Sequence, residues 1–140
     1  MRSRFGGRAQ LSLEYLLLLA AFFSCLLLFL PLLQKSYAAA LFGIDARNAS
    51  FFSESLAQAS RELSVLGEGT AVSIGINPLN PWQISVQGNR LLVSVSSGVL
   101  GKTKEFSAEL SMPAASFSKE FSEKAALKVS KTSGLLVIDG

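Results

Sequence analysis

This chain has no histidine, and its 140 residues include a single cysteine and four prolines. Without histidine it lacks the side chain that most often acts as a general base near neutral pH, and the commonest zinc ligand. With Cys25 alone, no disulfide can form within the chain, so cysteine usage carries no information about redox compartment. Charge is scarce: 16% of residues are Asp, Glu, Lys or Arg and 49% are apolar, where about 25% charged is usual. The shortage is local. From Leu11 to Leu33 the polar groups are Ser12, Glu14, the Tyr15 hydroxyl, Ser24 and Cys25, and the rest of the chain has an ordinary globular composition.

Catalytic constellations are missing as well. The acidic residues are scattered, and no glycine-rich phosphate loop follows a strand. Gly67-Glu68-Gly69 reads as a helix stop and turn. Glu120 and Glu123 lie among Lys119 and Lys124, a mixed-charge solvated surface. Trp82 reads as core, with a ligand platform as the other reading. Lys102 and Lys104, and Lys119, Lys124, Lys128 and Lys131, are interrupted by acids and make no nucleic-acid footprint. We therefore expect no enzyme, no cofactor, no metal and no nucleic-acid partner.

What is present begins with a basic leader. The net charge is +3, from 13 basic and 10 acidic residues. Arg2, Arg4 and Arg8 precede the apolar run, and without them the balance is zero. Arginines before a hydrophobic segment mark its cytoplasmic side. The run of 23 residues exceeds the roughly 20 that a helix needs to cross a bilayer. Pro31 should kink that helix near its far end. The run is too long for a conventional secretory signal, although Ala38-Ala39-Ala40 offers small residues beyond it.

Glu14 is the anomaly in this run. A carboxylate at the bilayer centre costs on the order of 2.5–3.5 kcal/mol on insertion scales. Either Glu14 reaches back to headgroup water, or it has a cationic partner within the membrane. The surrounding residues, Gln10-Leu11-Ser12-Leu13-Glu14-Tyr15, resemble the processing motif of archaeal type IV pilin-like proteins, the class III (prepilin-type) signal peptide. That motif sets Gln, then Ser two positions on and Glu four positions on, between a short basic leader and an apolar helix. Ala9 stands where many relatives have Gly.

The resemblance implies cleavage between Ala9 and Gln10 by a membrane aspartyl prepilin peptidase at the cytoplasmic face. It also implies that Glu14 pairs with the terminal amine of a neighbouring subunit and sets register during assembly. The partners implied are further copies of the chain, the peptidase, the pilus assembly machinery and the membrane. The expected location is the cell membrane, single-pass with the C-terminal part extracytoplasmic, or a surface filament once assembled. A membrane-anchored extracytoplasmic binding module or minor pseudopilin that does not polymerise is the alternative.

Four segments are expected: leader 1–9, membrane and assembly helix 10–33, extracytoplasmic helix 34–66 and β-rich head 67–140. From Asp45 to Leu66, Ala49, Phe52, Leu56, Ala59, Leu63 and Leu66 recur at helical spacing. Asp45 is expected to cap this helix, Gly43 to form a soft point before it, and Gly67 to end it. Asn48-Ala49-Ser50 is a candidate N-glycosylation sequon near that helix start.

From Thr70 the pattern changes to period two, with Val72, Ile74 and Ile76 on one face. Gly88-Asn89 is a type II′ hairpin signal. Its register would set Val86 opposite Leu91, Ile84 opposite Val93 and Trp82 opposite Val95, all on one face. A third strand is expected at Glu105–Ser111, with Phe106, Ala108 and Leu110 inward. A closing hairpin is expected at Ala125–Lys131 and Gly134–Asp139. Phe117 to Phe121 is ambiguous between strand and helical turn. The expected fold is α+β: a long N-terminal hydrophobic helix continuing into an amphipathic helix packed on a small antiparallel sheet.

Overall fold

The computed structural model describes residues 6–140, with side chains from Ser12 onward. Helix α1 (Gly6–Val65) is followed by strands β1 (Ala71–Ile76), β2 (Trp82–Ser97), β3 (Lys102–Phe121), β4 (Ala125–Thr132) and β5 (Leu135–Asp139). The class is α+β. The chain forms two compact units, Met1–Tyr37 and Ala38–Gly140, and α1 contributes to both.

In the first unit the helix residues from Leu16 to Leu33 are apolar apart from Ser24 and Cys25. The helix continues through Pro31 without a break. A proline here removes one backbone donor, and the remaining ladder holds the helix together.

In the second unit, Ala38–Val65 packs on the sheet. Ala38, Asp45, Ala49, Phe52, Leu56, Ala59 and Leu63 are buried, and Phe42 is partly buried in the same stripe. These positions alternate steps of three and four, which keeps them on one helical face. Each fully buried leucine contributes about 1.5–3 kcal/mol relative to an exposed one. Leu66, expected at the end of the stripe, is instead exposed, because the helix stops at Val65.

Two helix expectations are overturned here. Asp45 does not cap a helix start, because α1 is already long established at that point. Gly43 interrupts nothing, since hydrogen bonding of the backbone on both sides carries the helix through it. From Ala38 the outer part of the helix and the sheet form one compact unit.

The sheet has five strands in the order β1-β4-β5-β3-β2. β2 turns back on itself at Gly88, whose φ of 59° suits the first loop position of a type II′ turn. The Ser96 N–H donates to the Pro81 carbonyl at 3.2 Å, so the two ends of β2 lie side by side. Gln83 shares a surface hollow with Ser94, and Ser85 shares another with Leu92. This is the register that the Gly-Asn turn predicts. Trp82, Ile84, Val86, Leu91, Val93 and Val95 are all buried.

β3 wraps around that hairpin. Its first part, Lys102–Glu109, pairs antiparallel with Arg90–Ser97, and its last part, Phe117–Phe121, pairs antiparallel with Trp82–Val86. The ambiguous segment Phe117–Phe121 is therefore strand, and the third strand runs well past Ser111. Leu110, Met112 and Ala114 face the core, and the inward parity has changed by Phe121. Pro113 sits where β3 leaves the β2 ladder, so its missing N–H costs no pairing there.

β4 and β5 form the closing hairpin, with Thr132 opposite Leu135. Ser133 and Gly134, at φ 52° and 76°, make the two-residue loop that needs positive φ at both positions. The expectation of a purely antiparallel sheet is corrected. β5 lies parallel to β3, with Ala114 beside Leu136. It is inserted between β4 and β3, and its direction is set by the tight β4 turn.

Candidate functional site

Two regions are candidates for function, one in each unit. The first is the apolar segment of α1. Its large side chains from Leu13 to Leu33 are between 42% and 78% exposed, so none of the described residues covers them. The helix is long and apolar enough to cross a membrane. Ser12 and Glu14 lie near its start with exposed side chains, and Cys25 is a free thiol within it. Ala9 and Gln10 fall on the α1 backbone, and their side chains lie outside the described residues, as does the start of the leader.

The second region is where the head is fixed to its helix. Asp45 is fully buried on the packing face. Its Oδ1 accepts from the Leu79 N–H at 2.9 Å, and its Oδ2 accepts from the Asn80 N–H at 2.6 Å and from Asn80 Nδ2 at 2.7 Å. Three donors compensate one buried carboxylate, which makes the burial tolerable. The clamp holds the loop Asn77-Pro78-Leu79-Asn80-Pro81 against the helix, and β2 starts at the next residue.

Two further ties follow along the helix. Ser60 Oγ accepts from the Ser111 N–H at 2.7 Å. Lys131 Nζ donates to the carbonyls of Ser64 and Leu66 at 3.2 and 2.8 Å. A cation at a helix C-terminus answers unpaired carbonyls and the helix dipole.

Sequence reasoning missed the Asp45 clamp, although a signal was present. Asp45 falls in step with the buried stripe, four residues before Ala49. An acid in that position needs donors, and the turn-forming Asn-Pro-Leu-Asn-Pro segment can offer free N–H groups.

Trp82 is core, 1% exposed and tilted against Phe52 with ring centroids 6.3 Å apart. Its Nε1 has no hydrogen-bond partner. Beside it is a cavity of about 220 Å³ between the helix and β1, lined by Phe51, Phe52, Ser55, Ile74 and Asn77 among others. No titratable side chain lines it. Among the described residues, no group of His, Cys, Asp or Glu is arranged to hold a metal.

The head lysines are dispersed, and three have local partners. Lys131 caps the helix, while Lys104 and Lys119 lie over the rings of Phe106 and Phe121 at 5.3 and 5.4 Å. Asn48 is exposed, but it sits within the helix and not near its start. No family model matches the chain, and neither a curated protein nor a solved structure does.

Proposed function

We propose that this chain is a structural subunit of an archaeal type IV pilus-like surface filament. It is made as a prepilin, cleaved between Ala9 and Gln10, and assembled through its hydrophobic helix. The observation that carries the reading is the Leu13–Leu33 segment, apolar apart from Glu14, the Tyr15 hydroxyl, Ser24 and Cys25 and uncovered by any described residue. A helix of that kind must be buried, first in lipid and then among like helices. The Gln10, Ser12 and Glu14 motif before it supports the same reading.

Assembly has three parts. Leader removal frees Gln10. The apolar helix leaves the bilayer for a core built from the same segment of other copies. Glu14 then pairs with the amino terminus of a neighbour, because an unpaired carboxylate in that core is costly. The head needs no catalytic chemistry for this. The ties of Asp45, Ser60 and Lys131 hold the sheet to the Ala38–Val65 part of the helix.

The test is N-terminal sequencing and intact mass of native protein from sheared surface material and from membranes. The expected result is a start at Gln10 in the sheared fraction. A start at Gln10 confined to membranes would favour the anchored module or minor pseudopilin. An intact leader would refute processing.

A further inference from the structure

Strand β1 stands at one end of the sheet, with β4 on one side and no strand among the described residues on the other. The ladder fixes which of its backbone groups are free. The Lys131 N–H donates to the Thr70 carbonyl, and the Gly69 N–H donates to the Lys131 carbonyl, each at 3.1 Å. Thr70 therefore directs its carbonyl at β4, and this direction alternates along an antiparallel strand. Val72, Ile74 and Ile76 bond to β4, while the N–H and C=O groups of Ala71, Ser73 and Gly75 point the other way. Ala71, Ser73 and Gly75 are all exposed. Edge strands are commonly guarded by charge, proline or a bulge. Ala71–Ile76 has no charged residue and no proline, and its register with β4 is unbroken.

A groove runs along this edge on its helix side. The cavity of about 220 Å³ beside Trp82 lies between Asn48, Phe51 and Ser55 of the helix and the last residues of β1. A cavity of about 150 Å³ holds benzene, so there is room here for one aromatic side chain. Phe51 is 71% exposed and offers its ring to such a guest. Trp82 lines the cavity, and its buried Nε1 donor has no acceptor, which favours a guest with an oxygen at its tip. No titratable side chain lines the cavity, so the guest is neutral.

The groove is charged at one end. Lys131 joins the helix end to the start of β1, donating Nζ to the Ser64 and Leu66 carbonyls and its N–H to Thr70. Exposed Glu62 and Glu68 lie at this end. Glu62 is seven residues after Ser55, which sets the two on one flank of the helix. That flank and β1 carry no base. Lys128 is opposite Ser73, on the sheet face away from the buried Leu127 and Val129.

We propose that β1 accepts an extended segment of another polypeptide as an added antiparallel strand. The segment bonds the free groups of Ala71, Ser73 and Gly75 and places one aromatic side chain in the cavity beside Phe51 and Ile74. Basic residues at its C-terminal end meet Glu62 and Glu68, because antiparallel pairing brings that end to the start of β1. The 6 residues of β1 span about 20 Å at about 3.3 Å per residue, so a short segment suffices. Every residue used belongs to the Ala38–Gly140 unit, and the proposal stands apart from the filament reading.

The experiment uses the full chain in detergent micelles and a synthetic peptide, Val-Thr-Tyr-Thr-Val-Lys-Lys, with fluorescein at its N-terminus and an amidated C-terminus. Fluorescence anisotropy reads binding, and NMR reads hydrogen exchange of single amides. Ser73→Pro removes a donor that points away from β4, so the β1–β4 pairing survives, whereas Ser73→Ala keeps that donor. Circular dichroism confirms that each variant is folded.

The expected result is saturable binding that slows exchange at Ala71, Ser73 and Gly75. Affinity should fall about tenfold or more for Ser73→Pro and for a peptide N-methylated at both threonines, and stay within about twofold for Ser73→Ala. Glu62→Lys combined with Glu68→Lys should weaken binding several-fold, as should alanine in place of the peptide's tyrosine. Absence of saturable binding overturns the proposal. So does binding that N-methylation leaves unchanged, a test that holds even where Ser73→Pro fails to fold. Protection of these amides without peptide that fades on dilution also overturns it, because a second copy of the chain then covers the edge.

Discussion

Replacing Asp45 with alanine should loosen the head from its helix. The carboxylate is fully buried and accepts three hydrogen bonds from Leu79 and Asn80. Hydrogen bonds to charged groups are worth about 1.5–3 kcal/mol each. The sum overstates the loss, because the loop is partly exposed and water can reach some of the freed donors, and because the carboxylate's own desolvation cost disappears. A net loss of about 2–4 kcal/mol remains. With a urea dependence of about 1.5 kcal/mol per molar, the unfolding midpoint should fall by roughly 1–3 M.

The assay is urea unfolding of the full chain in detergent, followed by fluorescence of Trp82. This residue is the only tryptophan, buried and one position after the clamped loop. Asp45→Asn keeps one acceptor oxygen but turns an NH2 towards an N–H donor, so its midpoint should fall between wild type and Asp45→Ala. Glu54→Ala, an exposed change on the same helix, should shift stability by no more than about 0.5 kcal/mol. If Asp45→Ala unfolds with Glu54→Ala and wild type, the clamp does not hold the head and the reasoning fails.

Glu14→Ala should leave leader cleavage intact and lower the yield of filaments in sheared material; normal filaments would remove Glu14 from register setting. Lys131→Met keeps the aliphatic stem and removes the cation at the helix end, so the urea midpoint should drop by the equivalent of about 0.3–1 kcal/mol, a loss that added salt reduces in the parent protein. Gly88→Val places a β-branched residue at φ 59°, and thermal unfolding by circular dichroism should show a loss of at least about 1 kcal/mol. Unchanged melting would mean that the β2 turn does not need positive φ.

Much of the head was legible in the sequence because its signals are local. The type II′ turn needs a residue that accepts positive φ, and Gly88 supplies it between two alternating runs. The inward row of Trp82, Ile84 and Val86 follows from period-two alternation, and the closing hairpin was expected to turn through Lys131–Gly134, whereas the loop is Ser133-Gly134 alone. The pairing of β5 with β3 was not legible, since no local pattern says which distant strand fills a gap. The length of β3 was hidden by Pro113 and by the parity change before Phe121, which look like a strand end when no partner is in view. Asp45 was misread for a related reason. An acid before an amphipathic pattern resembles a cap, and only the tertiary fold supplies the donors of Leu79 and Asn80. At the front of the chain, the apolar segment was evident from composition, whereas its use depends on other molecules.

The position of β5 has a consequence for how the head comes into being. It is the last of the five strands in sequence, yet it stands between β4 and β3 and buries Leu136 and Ile138. While β5 is still missing from a growing chain, β2 and β3 can pair, and β1 can pair with β4, but the two pieces have no strand between them. The core closes only when the final strand arrives. Until then the head stays open, with its apolar interior within reach of proteases. Maturation is thus timed by the arrival of a single short segment.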